Sequence, residues 1–439
     1  MHHTGIGTEW LPSDKPKSVR LPCSPFYWRN IILANMQLVY KFEINHSDRL
    51  CAICRVTNNL YNQALYIVRN ELKDNDRWLF YPDLDRIMKN VTNLEGTVNY
   101  RLVKSHVAQQ TLRVLDKAMK GYVKAVKDWS KNPGKYNGKP ELPCYHKRGG
   151  MSNAIYTNQS CKIHDGYIIL DRDLKIPVPQ WEKYKDRIER FKQVRIIPKR
   201  TYMTVEVVYD CGCSDNVGTG MASIDLGVNN LATLVCGCNA LLFSGKVIKS
   251  YNRWFNKTLS MLQSIKDRHG IDKLTNRMRK MYDKRERFMN DAMHKTSRRI
   301  VDYLVSHHIG TLAVGYNKGW KQSVNMGGVN NQKFTFIPFA RLRSCLRYKC
   351  ELAGINYIEH EESYTSKCDA LSMEDICKHD IYLGKRVKRG LFKSAIGKVI
   401  NSDVNGALNI GRKVFGDSFM IADSGRWYRP ERINVLKCV

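Results

Sequence analysis

Three acidic residues in the C-terminal half of the chain are placed to do chemistry together: Asp225 in MASIDLGVNNLATLV, Glu362 in INYIEHEESYTSK and Asp403 in KVINSDVNGALNI. Each falls where a strand ends or a helix begins. Met221 to Val235 reads as a strand, a tight turn at Gly227-Val228-Asn229-Asn230 and a second strand, so Asp225 sits on the rim of a hairpin. Ile355 to Ile358 reads as a further strand, and its polar continuation carries Glu362 at the carboxyl edge. Ser402 reads as the cap and Asp403 as a first-turn residue of a helix over Val404 to Ile410, with Asn405 and Asn409 one turn apart on one face. Taken singly, each acid is an ordinary turn, strand-end or helix-start charge. As an ordered set they are carboxylates converging on one sheet edge. That arrangement suits hard divalent cations, Mg2+ or Mn2+, and a pair of such ions runs in-line attack on a phosphodiester. The chemistry implied is metal-dependent cleavage of nucleic acid.

Composition agrees. The chain has 72 Lys and Arg against 41 Asp and Glu, a formal charge of +31. Phosphates that neutralise such an excess release counterions and so drive binding. A hydrophobic content of 43% is ample for packed cores, and 439 residues suggest two or three domains. No apolar run is long enough to span a bilayer and no secretory leader is recognisable, so no membrane partner and a cytoplasmic location are expected. The 14 cysteines are scattered, which fits a reducing compartment better than a disulfide framework.

The elements that must position the acids follow a clear order. Residues 1–35 lack periodicity and are broken by Pro12, Pro16, Pro22 and Pro25, so they read as a leader of unknown order. MQLVYKFEI, from Met36, reads as a strand. From Ser47 to about Asp128 the spacing is helical, with Leu60, Ala64, Ile67 and Val68 on one face and Val107, Leu112, Leu115, Met119 and Val123 continuing it. Gly134, Gly138 and Pro140 mark a linker, and GYIILD, LKIPV, QVRIIPK and TYMTVEVVYD then read as strands. A small β-domain interrupted by a helical lobe is the expected result. Tyr251 to His308 is helical and basic, with Met278, Met281, Met289 and Met293 as packing residues. Thr311 to Val314 reads as a short buried strand and Pro338 to Ala353 as an amphipathic helix.

SIDLGVNNLAT, HKTSRRIVDYLVSHHIGTLAVGYNKGWKQ, IPFARLRSCLRYKCELAGINYIEHEESYTSK and GKRVKRGLFKS…INSDVNGALNI resemble the TnpB (OrfB) nucleases of insertion sequences and the related compact type V CRISPR effectors. The resemblance is dense from about Ser223 to Arg412; the N-terminal half is similar in layout only. It implies a multidomain α/β protein with an RNase H-like (RuvC) catalytic domain over 218–439, with its helical insert at about 251–308. It also implies a split β-barrel wedge domain over 36–46 and 141–217, and a helical recognition lobe over 47–140. KPELPCYHKRGG lies near the family's basic loop. The implied activity is RNA-guided cleavage of DNA in a prokaryotic cell. Guide RNA and double-stranded DNA bearing a short adjacent motif would be the partners, and oligomeric state stays open. Lys318 and Lys321, costly to bury, are expected at the nucleic-acid channel together with Trp320, which reads equally well as a core residue. Arg389 in GKRVKRGLFKS is a further expected contact.

Two departures from the family matter. Its second acid commonly follows the strand equivalent to Thr311–Val314, where this chain has Gly315. Neighbouring strands lie only about 4.8 Å apart, so an acid one strand over could supply the oxygen. Glu362 is favoured over Glu361 because alternation turns the two to opposite faces, and Glu359 lies further from the edge. Gly315 also keeps alive a nuclease-inactive, RNA-guided DNA-binding repressor; a single-strand transposase lacks the expected Tyr or His pair. The second departure is the metal knuckle. Many relatives place two C-x-x-C pairs between the Glu and the last Asp, but this chain has only Cys368, Cys377 and His379 there. Cys51 with Cys54, and the C-x-C pairs Cys211/Cys213 and Cys236/Cys238, read as plain thiols, so no zinc is expected.

Overall fold

Alternation along MQLVYKFEI makes β1 (Met36–Ile44) a half-buried strand, and its partner lies far along the chain. The computed structural model describes residues 36–188, 190–214, 218–317, 336–420 and 425–436. The leader at 1–35 and the segment holding Lys318, Trp320 and Lys321 lie outside them.

Between β1 and β2 (Ala154–Thr157) run three helices: α1 (Asp48–Asn75), α2 (Tyr81–Met88) and α3 (Ser105–Lys131). They close on a core of their own, in which Leu60, Ala64 and Val68 meet Leu112, Leu115 and Met119. The chain then forms β3 (Lys162–His164), β4 (Tyr167–Asp171), β5 (Leu174–Pro177), α4 (Trp181–Ile188), β6 (Phe191–Pro198) and β7 (Met203–Cys211). β7 takes β1 as its antiparallel partner from end to end, Met36 opposite Cys211 and Ile44 opposite Met203. The four-stranded sheet β1-β7-β6-β2 and the three-stranded sheet β3-β4-β5 share one core around Ile168, Ile176, Val194, Val205 and Val207. The helical segment is therefore an insertion into a β-structure whose first strand precedes it.

The C-terminal half is built on β8 (Gly220–Asp225), β9 (Asn230–Cys236) and β10 (Asn239–Ser244). α5 (Lys246–Arg268) and α6 (Asn276–Ser306) follow, and then β11 (Ile309–Gly315), α7 (Phe339–Leu352) and β12 (Asn356–His360). The helical stretch expected over 251–308 starts earlier, at Lys246, and breaks at 269–275, where the Thr275 side chain caps α6 by accepting the Met278 amide. Three short strands, β13 (Lys385–Lys388), β14 (Leu391–Lys393) and β15 (Val399–Asn401), form a small antiparallel sheet before α8 (Ser402–Phe415); β16 (Glu431–Ile433) comes last. The large sheet has the order β12-β11-β8-β9-β10-β16. β8, β9 and β10 run antiparallel, whereas β11 and β12 run parallel to β8.

Both faces of this sheet are covered, so its central strands read as nearly continuous apolar runs. Ala222, Ile224 and Leu234 face α6 and α7 through Met293, Ile300, Leu342 and Leu346. Val235 and Leu242 face α8 through Val404, Ala407 and Leu408. The four methionines of α6 pack as expected: Met289 and Met293 against the sheet, Met278 and Met281 against α5. Among the described residues no helix is long and apolar enough to cross a membrane.

Candidate active site

Parallel pairing brings three strand ends level. Val314 lies opposite Ile224 in the β11–β8 ladder and Gly315 opposite His360 in the β11–β12 ladder, so Asp225, Gly315 and His360 stand side by side at one edge. α8 lies across that edge and meets successive strands along one stripe. Asn230, at the start of β9, donates to Asp403 Oδ2 at 2.8 Å. One turn on, a Cβ at Gly406 would stand 2.9 Å from Asp225 Oδ2. A turn further, Ile410 reaches Gly315. The buried Ser223 hydroxyl, donating to the Ala407 carbonyl at 2.6 Å, locks β8 to the helix.

The cap of α8 differs from expectation. Asn401, not Ser402, is the N-cap, and its side-chain oxygen accepts the Asp403 amide at 2.9 Å. Both residue types cap well; Asn401 takes the role because it ends β15 and already has the extended backbone that an N-cap needs. Asp403 remains in the first turn, where the helix dipole favours a carboxylate.

Glu362 fills the space that Gly315 leaves. A Cβ on Gly315 would lie 2.6 Å from Glu362 Oε2 and 2.5 Å from Ile410 Cδ1, so no larger residue fits without displacing the carboxylate. Asn317 holds Glu362 from two sides, accepting its amide at 3.2 Å and donating to Oε1 at 3.4 Å. The other oxygen, Oε2, is buried with no donor. The neighbouring acids face elsewhere. Glu361 is exposed and pairs with Lys413 at 3.4 Å, while Glu359 accepts from Arg343 and Arg347, each at 3.0 Å. Alternation is not what separates Glu361 from Glu362, because β12 ends at His360. The turn that follows does so, with the Thr365 hydroxyl donating to the Glu362 carbonyl at 2.8 Å.

The electrostatics are those of crowded anions. Burial holds the Asp225 carboxyl well above the usual range, and the charges of Glu362 and then Asp403 push it the same way; Arg386 and the Leu226 amide pull it back. Burial, and then the Glu361 charge, raise Glu362 to about 7 against the pull of Lys413. A buried carboxylate oxygen without a donor, whose charge also reaches Asp225, is chemically suited to a cation. Among the described residues no three acidic, Cys or His side chains close around one point. Mg2+ needs only one or two protein carboxylates and leaves the rest of its shell to water and phosphate oxygens.

The segment between Glu362 and Asp403 does not suit zinc. The buried Cys368 thiol donates to the Cys377 carbonyl at 3.6 Å, while the exposed Cys377 lies 3.4 Å from His379 Nε2, which also contacts the Asp375 carbonyl at 2.7 Å. Burial raises the Cys368 thiol further from the thiolate that a metal would require. Asn405 and Asn409, noted in the sequence only for their spacing, are fully buried and organise this segment. Asn405 accepts the Ala370 amide at 3.0 Å and donates to the Cys368 carbonyl at 2.8 Å; Asn409 donates to the carbonyls of Cys368 and Thr365 at 2.7 and 2.9 Å. Arg389 lies in the exposed turn between β13 and β14. Lys385, Arg386, Lys388 and Lys393 stand exposed on those two strands.

Two family models match this half of the chain. Residues 212–321 match OrfB_IS605, described as a probable transposase, and residues 339–410 match the Cas12f1-like TNB domain. This half of the chain is similar to the TnpB (OrfB) and Cas12f1 proteins. Asp225 falls in the OrfB match, whereas Glu362 and Asp403 fall in the TNB match. Among curated relatives, the TnpB-like protein ORF457 of Acidianus two-tailed virus is 27% identical over 207 residues, 45% of this chain and 43% of that protein. The CRISPR-associated endodeoxyribonuclease Cas12f1 of Sulfoacidibacillus thermotolerans is 28% identical over 144 residues, 32% of this chain and 31% of that one. The chain thus matches less than half the length of either curated relative. A Cas12f1 chain solved as a Cas12f1–sgRNA–target DNA complex shares the fold at a TM-score of 0.52 with 14% identity, over 83% of this chain and 82% of that one.

Proposed function

We propose that this protein is an RNA-guided DNA endonuclease whose RNase H-like (RuvC-type) site is formed by Asp225, Glu362 and Asp403. The observation that carries the reading is the unpartnered Oε2 of Glu362 in the space beside Gly315. An acid missing from the end of β11 is supplied from the end of the adjacent strand. The sheet supports the same reading, with three antiparallel strands followed by two parallel ones and the acids at one edge. Two bound divalent ions would supply Lewis acidity and an activated water at the scissile phosphate. The chain's own part is positioning. Gly406 lets α8 approach Asp225 closely, Asn230 orients Asp403, and Asn317 fixes one Glu362 oxygen and leaves the other free. The β-structure of β1 to β7 would be the wedge domain and α1 to α3 the recognition lobe. The basic surface would hold the guide RNA and heteroduplex by backbone geometry while base pairing selects sequence.

The test starts from RNA that copurifies with the full-length protein. Its sequence defines a guide, and the reconstituted complex should nick or cut a matched plasmid only with Mg2+ or Mn2+. Asp225→Ala and Asp403→Ala should bind the matched plasmid and leave it intact. A wild-type complex that binds its target under a verified guide and never cuts would make the protein a nuclease-inactive DNA-binding repressor.

A further inference from the structure

Between Glu362 and Asp403 the chain folds a knuckle, residues 368–401, with a carboxylate at its centre. Asp369 is fully buried. Its Oδ2 accepts from the Ser372 hydroxyl at 2.6 Å, the Ser394 hydroxyl at 2.7 Å and the Ala395 amide at 2.8 Å. Its Oδ1 accepts the Leu371 amide at 3.1 Å and the Ser372 amide at 3.4 Å. Two stretches separated along the chain, 369–372 and 394–395, are thus tied to one anion. Glu374 extends the tie, accepting the amides of Asp369 at 2.6 Å and Leu383 at 2.9 Å. On either side of Asp369, Cys368 and Ala370 are held by Asn405 of α8, and Phe392 and Ile400 of the small sheet share an apolar core with Val404 and Ala407 of the same helix.

The resemblance implies a metal knuckle of two C-x-x-C pairs in this stretch, and the thiols here do not make one. A C-x-x-C pair starting at Cys368 would put its second thiol at 371, where the chain has Leu371. The thiols that remain are engaged with a backbone carbonyl and a histidine. A buried anion is costly unless hydrogen-bonded, and a carboxylate can accept about four bonds. Here five donors surround it. Bonds to an ionised acceptor are stronger than neutral ones. A structural metal supplies folding free energy by joining distant segments at one point; Asp369 joins the same kind of segments with opposite charge. We propose that Asp369 replaces a structural metal, so that the 368–401 knuckle folds and holds its place on α8 independently of zinc.

The test needs neither guide RNA nor cleavage, so failure of the nuclease reading leaves it standing. Full-length protein grown with added zinc is assayed for bound metal, and hydrogen exchange over 368–401 is compared with and without a strong zinc chelator. Zinc well below one equivalent and exchange unmoved by the chelator are expected. Asp369→Ala should speed exchange at the Leu371, Ser372 and Ala395 amides by roughly tenfold or more, the loss of a charge-assisted bond. Exchange in α1 should not change, and Cys377→Ser should behave as wild type. One tightly held zinc per chain whose removal loosens the knuckle would overturn the proposal, as would unchanged exchange in Asp369→Ala. Should Asp369→Ala fail to accumulate, Asp369→Asn, which keeps one acceptor oxygen, is measured at the same amides: faster exchange supports the proposal and unchanged exchange overturns it.

Discussion

Glu362 and Asp369 are two carboxylates only seven residues apart in sequence, and their surroundings are opposite. Asp369 draws five donors from two segments, and every contact helps close a fold. Glu362 has Asn317 on one oxygen, no donor on the other, and negative neighbours in Glu361 and Asp225. Burial alone therefore does not say what an acid is for. A saturated carboxylate is a structural tie, since nothing remains for it to bind. A starved one, held against its own electrostatic cost, is free to take a ligand. Strain of this sort at functional sites is offset by well-satisfied structure elsewhere.

That contrast predicts opposite consequences for removing the two charges. Asp369→Ala strands buried amides and hydroxyls and should cost about 3 kcal/mol or more of unfolding free energy, measured by denaturant titration. Gly315→Ala should come next, at about 1–3 kcal/mol, because its methyl group collides with Ile410 and Glu362. Cleavage should fall further than stability does, since the displaced atom is the unpartnered oxygen. Glu362→Gln should change stability in the other direction. The folded-state pKa of about 7 lies above the ordinary 4.5, so this group's contribution is full below about 4.5 and is lost as pH rises through 7. In chelator, wild type should therefore weaken relative to Glu362→Gln across that window. The two should converge at lower pH, and Mg2+ should restore wild type at pH 8. Parallel stability curves would place Glu362 in the same class as Asp369. Glu361→Gln should have the smallest effect, because an exposed pair with Lys413 contributes about 0–1 kcal/mol.

The parts of this arrangement that rest on local signals were legible in the sequence. The hairpin turn after Asp225, the α8 start around Asp403, and the apolar strands on either side follow from short-range turn and capping chemistry. Legibility degraded where two residues compete for one local role, as Ser402 and Asn401 do for the cap. The Glu362 position follows from a turn beyond the strand, where alternation no longer applies. What the sequence hid entirely are contacts between distant residues in irregular backbone. Asn317 reaches Glu362 across 45 positions, and Asn409 reaches Thr365 across 44. Asp369 sits in a loop with no periodicity, and its partners Ser394 and Ala395 are common loop residues. The thinned-out cysteines spoke against zinc there and named nothing in its place.

The central claim is that Glu362 supplies the acid that Gly315 lacks, and guided cleavage by Glu362→Gln tests it most directly. The amide keeps the shape and loses the charge that would hold a divalent ion. Loss of that electrostatic contribution, several kcal/mol, should slow plasmid cleavage by roughly a thousandfold or more with target binding intact. Glu361→Gln, assayed beside it with the same guide and Mg2+, should cut at close to the wild-type rate. Near-wild-type cleavage by Glu362→Gln, or loss of cleavage in Glu361→Gln instead, would contradict the assignment.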